Sequence, residues 1–184
     1  MGNGSRFAVI MKILALVTSA MTAIFAVAHR LIPTNWLLPT AITFGTTAYH
    51  FCMRLAVGYL IPKLPLDPRH PWFRPCSWEP ALYKALRVKQ WKGKLPTYDP
   101  REFSLKEQTV EQILRNMCAA ELVHEGIVIL SFLPIAFSSV FGAFPVFLTT
   151  SLAAAAFDYL FIIAQRYNRP RLVRILAKSQ THTA

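Results

Sequence analysis

The chain has 184 residues, of which 54% are hydrophobic and only 16% charged, and its 20 Lys and Arg against 9 Asp and Glu give a net charge of +11. Soluble domains average about 45–50% apolar and about 25% charged residues, so this composition disfavours a water-soluble enzyme, a disordered tail and a free nucleic-acid-binding protein. Apolar and basic residues also fall in separate runs, which is typical of a small membrane protein.

Four apolar runs are each long enough to cross a bilayer, which takes about 20 helical residues. They cover residues 7–28, 36–61, 117–141 and 145–165. The first run ends in Ala26-Val27-Ala28, the pattern of a signal-peptidase site, and its cleavage stays open. Lys12 interrupts this run, and we favour a retained transmembrane helix.

Basic residues are distributed unevenly among the segments that join these runs. The turn after the first run has Arg30 alone, the turn after the third has no Lys or Arg, residues 62–115 have 11, and residues 166–184 have five. Because Lys and Arg accumulate on the cytoplasmic side of membranes, we expect both termini and residues 62–115 to face the cytoplasm.

The predicted fold is an all-α, multi-pass cell-membrane protein with four transmembrane helices. Its expected divisions are residues 1–61 (helices one and two), 62–115 (a basic, aromatic segment in the cytoplasm or at the membrane interface), 116–166 (helices three and four) and 167–184 (a basic cytoplasmic tail). Oligomeric state stays open.

The segment between the second and third runs is rich in proline, basic and aromatic residues. Its prolines between 62 and 80 forbid a regular helix, whereas residues 79–89 predict a short one. Aromatic residues beside Lys and Arg are typical of a membrane interface, and the absence of a nucleic-acid motif argues against a nucleic-acid partner. Ser104 and Glu107 have the spacing of a capping box, which predicts a helix from residue 105 into the third run.

Ionisable residues lie at similar depth in all four runs, about 6–12 Å from the cytoplasmic ends at 1.5 Å of helix rise per residue. A structural interpretation makes them a charge layer of ion pairs, such as Arg54 with Asp158, with Lys12 reaching the headgroups. A functional interpretation makes them a polar pocket, because Glu121, His124 and Glu125 exceed what pairing requires. Charges inside spans are costly and are often functional.

The third run places Glu121 one helical turn before His124 and Glu125. A carboxylate beside an imidazole fixes its tautomer and raises its basicity, which suits activation of a hydroxyl for acyl transfer. A di-iron site would need a second Glu-x-x-His unit, and the three cysteines have no zinc spacing. We therefore expect no metal.

Three stretches of the chain resemble the glycosyl-diaponeurosporenoate acyltransferase family, membrane enzymes of carotenoid biosynthesis. They are Trp91-Lys92-Gly93-Lys94-Leu95, Ala120-Glu121-Leu122-Val123-His124, and Gln165-Arg166-Tyr167-Asn168-Arg169-Pro170-Arg171-Leu172. The resemblance covers roughly residues 79–178. It implies transfer of an acyl chain to a sugar hydroxyl of a membrane-embedded, glycosylated isoprenoid. Family members tend to have an aromatic residue where this chain has Glu125.

The predicted site assigns His124 as general base, Glu121 as the group that orients it, and Glu125 as an alternative base. Arginine forks bind phosphates well, so we expect the donor's phosphates or the acceptor's headgroup to contact a basic set: Gln165, Arg166, Tyr167, Asn168, Arg169, Arg171, Trp91, Lys92 and Lys94. The expected donor is an acyl-CoA or acyl carrier protein, with no permanently bound cofactor. The partners are the bilayer, this donor and a lipid-linked sugar acceptor.

Two other classes of function are compatible with the same residues. One is a non-catalytic membrane scaffold or lipid-binding subunit, in which the charges only join helices. The other is a different isoprenoid-modifying membrane transferase or a reductase, whose cofactor phosphates would use the same arginines.

Overall fold

The computed structural model describes the backbone of residues 3–181 and the side chains of residues 6–178. Over that range every regular element is helical and no strand occurs, which confirms the all-α class. The α-helices there are α1 (Asn3–Leu31), α2 (Leu37–Leu60), α3 (Glu79–Ala85), α4 (Val88–Trp91), α5 (Val110–Leu130), α6 (Ser138–Phe141) and α7 (Phe144–Thr181).

Three stretches are helical, long and apolar enough to cross a membrane: Arg6–Leu31, Val110–Phe141 and Phe144–Lys178. The predicted second span forms as α2, whose 24 residues would measure about 36 Å. Four threonines, His50 and Arg54 make this helix less apolar than the other three. The structure therefore supports a membrane protein with three candidate spans, and crossing by α2 stays a prediction.

Helices α1 and α2 form a closely packed hairpin. The rings of Phe25 and Phe44 stack with centroids 5.5 Å apart. Gly45 permits this close approach, because a Cβ atom there would lie 3.3 Å from Cγ2 of Thr22. The Thr22 hydroxyl donates to the Thr18 carbonyl at 2.7 Å, so this polar group is satisfied within an apolar hairpin.

The proline-rich segment after α2 folds into short pieces packed against α5 and α7. Regular structure is limited to α3, α4 and the 3₁₀ turns Ile61–Lys63, Pro71–Phe73, Lys92–Lys94 and Pro100–Phe103. The helix expected over residues 79–89 is interrupted at Arg87, where φ is 51°. Phe73 and Val88 anchor the segment, since both side chains are buried.

Helix α5 begins five residues later than the sequence pattern predicts. Its capping box is Thr109 with Gln112, whose side chains and backbone N–H groups bond reciprocally. The prediction of a cap at Ser104 was wrong, because the Ser104 hydroxyl instead accepts from the backbone N–H of Lys106 and its carbonyl closes a turn with Glu107.

Helix α7 packs along α5 and continues well past the predicted end of the fourth span. Its 38 residues measure about 57 Å, whereas a bilayer core is about 30 Å thick. Twenty residues from Phe144 reach Ile163, so the arginines that follow lie near or beyond one membrane surface. The predicted tail is helical to Thr181, and its residues 182–184 lie outside the described range.

Candidate functional site

Two charge clusters lie between α5 and α7. The histidine cluster consists of His124, Asp158, Arg54 and Phe161, and it joins α5, α7 and α2. The glutamate cluster consists of Glu121, Arg166, Arg169, Glu79 and Tyr83, and it joins α5, α7 and α3. Both clusters follow from antiparallel packing of α5 against α7: Glu121 meets Arg166 and Arg169, whereas His124, which lies further along α5, meets Asp158, which lies earlier on α7.

In the histidine cluster, Nδ1 of His124 lies 2.9 Å from Oδ1 of Asp158. The second carboxylate oxygen of Asp158 accepts from the guanidinium of Arg54, which also donates to the Ala154 carbonyl at 3.3 Å. The His124 ring stacks on Phe161, with centroids 4.4 Å apart and planes at 14°. These contacts fix both the position and the plane of the imidazole.

This arrangement suits a general base. An ionised carboxylate accepts only, so Nδ1 of His124 carries the proton and Nε2 presents a lone pair. Nε2 makes no hydrogen bond to any of the side chains or backbone groups described, and the His124 side chain is 20% exposed. A reacting hydroxyl could therefore reach Nε2, while Asp158 would stabilise the imidazolium that forms.

In the glutamate cluster, Glu121 is fully buried and ion-paired to two arginines. Its Oε1 accepts from Nη1 of Arg166 at 2.6 Å, and its Oε2 accepts from Nη1 of Arg169. The two guanidinium groups carry two positive charges, of which Glu121 neutralises only one. Glu79 provides the second negative charge, because its Oε1 accepts from Nε of Arg166 at 2.7 Å.

Backbone carbonyls of the proline-rich segment complete the bonding of both arginines. Arg166 donates to the carbonyl of Arg74 at 3.0 Å and to that of Trp72 at 3.4 Å. Arg169 donates to the carbonyl of Phe73 at 2.7 Å and lies over that residue's ring. The glutamate cluster thus holds the segment against α7.

Tyr83 closes the outer side of the glutamate cluster. Its hydroxyl donates to Oε2 of Glu79 at 2.9 Å, and its ring meets the Tyr167 ring edge-on at 5.4 Å. Burial, together with the hydrogen bond to Glu79, raises the pKa of Tyr83 above its usual value. The phenol therefore stays protonated and keeps donating at physiological pH.

The comparisons with known proteins identify the family. A model of the CrtO family, glycosyl-4,4'-diaponeurosporenoate acyltransferase, matches residues 69–178, which is more than half of the chain. The chain belongs to this family. It is therefore an acyltransferase. The matched range contains the whole glutamate cluster and all of the histidine cluster except Arg54. Neither a curated protein nor a solved structure matches the chain.

The structure corrects the predicted pairing of His124, the candidate base. No hydrogen bond or ion pair joins Glu121 to His124 among the described side chains, and the carboxylate hydrogen-bonded to the imidazole is that of Asp158. Both carboxylate oxygens of Glu121 are bound by Arg166 and Arg169, and these charge-assisted bonds hold the side chain toward α7. Glu125 accepts from the indole Nε1 of Trp72 at 2.9 Å, beside both clusters.

The predicted phosphate-binding arginines separate into two groups. Arg166 and Arg169 point inward and are committed to carboxylates and carbonyls, so they are not available as a free phosphate fork. Arg171 and Lys94 are exposed. Gln165, Tyr167, Asn168 and Trp91 are half-buried, and the indole of Trp91 donates to the Leu86 carbonyl at 2.9 Å.

Lys92 connects two basic stretches, residues 91–95 and residues 165–172, in space. Its ammonium donates to Oδ1 of Asn168 and lies 4.6 Å from the centroid of the Tyr167 ring. Burial, and then the charges of Arg171 and Lys89, lower the pKa of Lys92. The predicted contact between residues 91–94 and the end of α7 is therefore present.

The predicted charge layer is only partly assembled. Arg54 and Asp158 form the expected ion pair. Lys12 is exposed on α1, and no ion pair involving it occurs among the side chains of residues 6–178. In the same part of the chain, no three His, Cys, Asp or Glu side chains come together in a way that could hold a metal ion.

Several residues of the site escaped the sequence analysis. Three of them, Trp72, Glu79 and Tyr83, lie in the segment between α2 and α5, and the fourth, Phe161, lies on α7. No sequence pattern connected these four residues to the charges. The partnership of His124 with Asp158 had a signal, because both residues lie about 10 Å from the predicted cytoplasmic ends of their spans.

Proposed function

We propose that this acyltransferase moves a fatty acyl group from an activated donor to a sugar hydroxyl of a glycosylated isoprenoid. The family description supports a glycosylated carotenoid as the acceptor. The observation that carries the proposal is the hydrogen bond between His124 and Asp158. It leaves Nε2 of the imidazole without a partner among the described groups, on a side chain that is partly exposed.

In this proposal the acceptor hydroxyl attacks the carbonyl carbon of an acyl thioester while Nε2 of His124 takes its proton. The tetrahedral adduct then collapses, the C–S bond breaks, and the imidazolium returns the proton to the departing thiolate. The products are an O-ester and a free thiol. Asp158 accepts from Nδ1–H throughout and stabilises the transient imidazolium.

A direct transfer fits the buried state of the nearby thiol. Cys118 lies on the same helix but has no exposed surface, so a donor could not reach it to form an acyl-enzyme. Arg54 acts as a positioning residue, because it holds Asp158 without contacting the imidazole.

Substrate contacts in this proposal come from the exposed and half-buried members of the basic set. Arg171 and Lys94, with Gln165, Tyr167 and Asn168, would contact the donor or the acceptor's headgroup. We place the chain in the cell membrane with both termini and residues 62–109 in the cytoplasm, where activated acyl donors are made. The uneven distribution of Lys and Arg supports this orientation.

Replacement of the base tests the proposal. His124→Ala should lower kcat by about 10²–10⁴-fold, the usual contribution of general base catalysis. The measurement is transfer of labelled acyl groups from acyl-CoA to a glycosylated carotenoid in purified membranes, with the amount of protein matched by immunoblot. The product should gain the mass of one acyl group.

His29→Ala is the matched control, because His29 lies on α1 away from both clusters. It should retain wild-type turnover. Near-normal transfer by His124→Ala would remove the proposed base, and an acceptor product that gains only two hydrogens would indicate a reductase.

A further inference from the structure

An open groove runs between α3, α4 and the last third of α7, outside both charge clusters. Its volume is about 900 Å³, and its walls include Pro75, Tyr83, Gln90, Tyr167 and Pro170. Small-molecule sites commonly measure about 300–1,000 Å³. The groove therefore has the size of a ligand site, and the histidine cluster makes no use of it.

The groove carries an excess of positive charge that the protein does not neutralise. Lys84, Arg87, Lys89 and Arg174 line it, and none of the four has an ion pair among the side chains of residues 6–178. Glu79 is the acidic residue in the wall. Its carboxylate is already ion-paired with Arg166 and accepts a hydrogen bond from Tyr83.

Backbone strain occurs at one of these cations. Arg87 has φ 51°, and no other non-glycine residue between 3 and 181 has a positive φ. Left-handed conformations disfavour residues with a Cβ atom and often occur at ligand clamps. Here the strained residue breaks the helix between α3 and α4 and adds its guanidinium to the groove.

A second, smaller pocket of about 200 Å³ adjoins the groove. It shares Tyr167, Pro170 and Arg174 with the groove and adds Arg171 and Asn168. The cationic surface thus continues from α3 around the end of α7 toward Lys92, which donates to Asn168.

We propose that this groove binds the phosphate groups of a coenzyme A thioester, and that it is the donor site of the proposed acyl transfer. Coenzyme A carries a pyrophosphate and a 3′-phosphate, so its several negative charges match the four groove cations. A membrane lipid headgroup usually offers one phosphate. A carrier protein would need a broad exposed surface, whereas this site is concave.

The position of the groove connects the donor to the reacting atoms. Tyr167 in the groove wall and Phe161 under the His124 ring are six residues apart on α7, which is about 9 Å of helix rise. An extended pantetheine arm spans this distance. The thioester could therefore reach Nε2 of His124 while the phosphates stay in the groove.

Direct binding tests this inference separately from catalysis. Purified protein in nanodiscs of phosphatidylcholine is titrated with unacylated coenzyme A, 3′-dephospho-coenzyme A and pantetheine. The Lys84→Gln/Arg174→Gln variant should weaken coenzyme A binding about tenfold or more, because charge-assisted contacts to phosphate are lost. Removal of the 3′-phosphate should also weaken binding to the wild type, and added salt should reduce the difference between the variants.

Lys106→Gln/Arg115→Gln is the matched control, because both residues are exposed cations outside the groove. It should bind coenzyme A as the wild type does, and so should His124→Ala. Equal affinity in the groove variant, or no binding by the wild type, would overturn the inference. The inference would also be overturned if the groove variant lost only its binding to phosphatidylglycerol vesicles and kept its affinity for coenzyme A. That result would assign the cations to a lipid headgroup. If coenzyme A binds as expected but no acyl transfer occurs, the proposed function fails and the groove assignment stands.

Discussion

Asp158 uses its two carboxylate oxygens for different partners, one for His124 and the other for Arg54. The Arg54 guanidinium supplies the opposite charge for this nearly fully buried carboxylate, which would otherwise be an uncompensated buried charge. An ionised Asp158 is what forces the proton of His124 onto Nδ1. Arg54 on α2 therefore contributes to the chemistry of a residue on α5.

We expect Asp158→Asn to lower kcat by about 10²–10⁴-fold while KM changes little. The amide keeps the size of the side chain, but it removes the charge that stabilises the imidazolium and can favour the wrong tautomer. Steady-state kinetics of acyl transfer measures both constants. The melting midpoint in detergent must be recorded beside them, because the variant leaves Arg54 without its ion pair. A raised KM with unchanged kcat in a folded variant would assign Asp158 to substrate binding instead.

At the scale of single residues, the sequence led to His124 but not to its partner. The i, i+3 spacing correctly places Glu121 next to His124 along α5, but it says nothing of charges that arrive from another helix. Two guanidinium groups on α7 bind Glu121 through charge-assisted hydrogen bonds, which are stronger than those to a neutral imidazole. A pattern within one helix could not reveal that competition.

The glutamate cluster joins three elements: α5 through Glu121, α7 through Arg166 and Arg169, and α3 through Glu79. A buried ion pair that loses one partner leaves an uncompensated charge, which costs about 3–5 kcal/mol. The cluster therefore fixes how α5 and α7 sit against each other and how the segment after α2 covers them.

Glu121→Gln should lower the free energy of unfolding by about 3–5 kcal/mol. Glu125→Gln is the comparison on the same helix, because Glu125 is half-buried and has one hydrogen bond, from Trp72. Its loss should cost about 1 kcal/mol. Chemical or thermal unfolding in detergent measures both. Similar values for the two variants would show that the buried cluster contributes no more than a surface contact.

Among the elements, the long apolar helices were predictable and the short ones were not. Runs of apolar residues gave α1, α2 and α7 close to their observed starts. Two capping sequences precede the apolar run that begins at residue 117, Ser104 with Glu107 and Thr109 with Gln112, and only tertiary packing decides which one starts α5. The break at Arg87 has no sequence signal, because arginine is a good helix former.

At the scale of the whole molecule, the proposed orientation has a direct test. Cys52 and Cys76, the exposed natural thiols, are first replaced by serine. Single cysteines are then introduced at three other positions. Asn35→Cys lies in the turn between α1 and α2, and Ser139→Cys lies on α6 in the connection between α5 and α7; neither connection has a basic cluster, whereas Gln90→Cys lies in the groove wall. All three positions are exposed.

A membrane-impermeant maleimide applied to intact cells should label positions 35 and 139 but not position 90. Permeabilised cells should be labelled at all three, which controls for thiol reactivity. Labelling of position 90 from outside would contradict the orientation and would place the groove away from cytoplasmic donors. Labelling of 139 but not 35 would show that α2 does not cross the bilayer.

The cluster around Glu121 also bears on how the protein is made. The two arginines that bind Glu121 follow it by 45 and 48 residues, so the ribosome adds them only after it has made the whole of α5. Until then α5 carries a carboxylate whose insertion into lipid costs about 2.5–3.5 kcal/mol. A nascent chain that stops before Arg166 thus offers the translocon a helix without its counter-charges. We expect α5 and α7 to enter the bilayer together, once both arginines have been added.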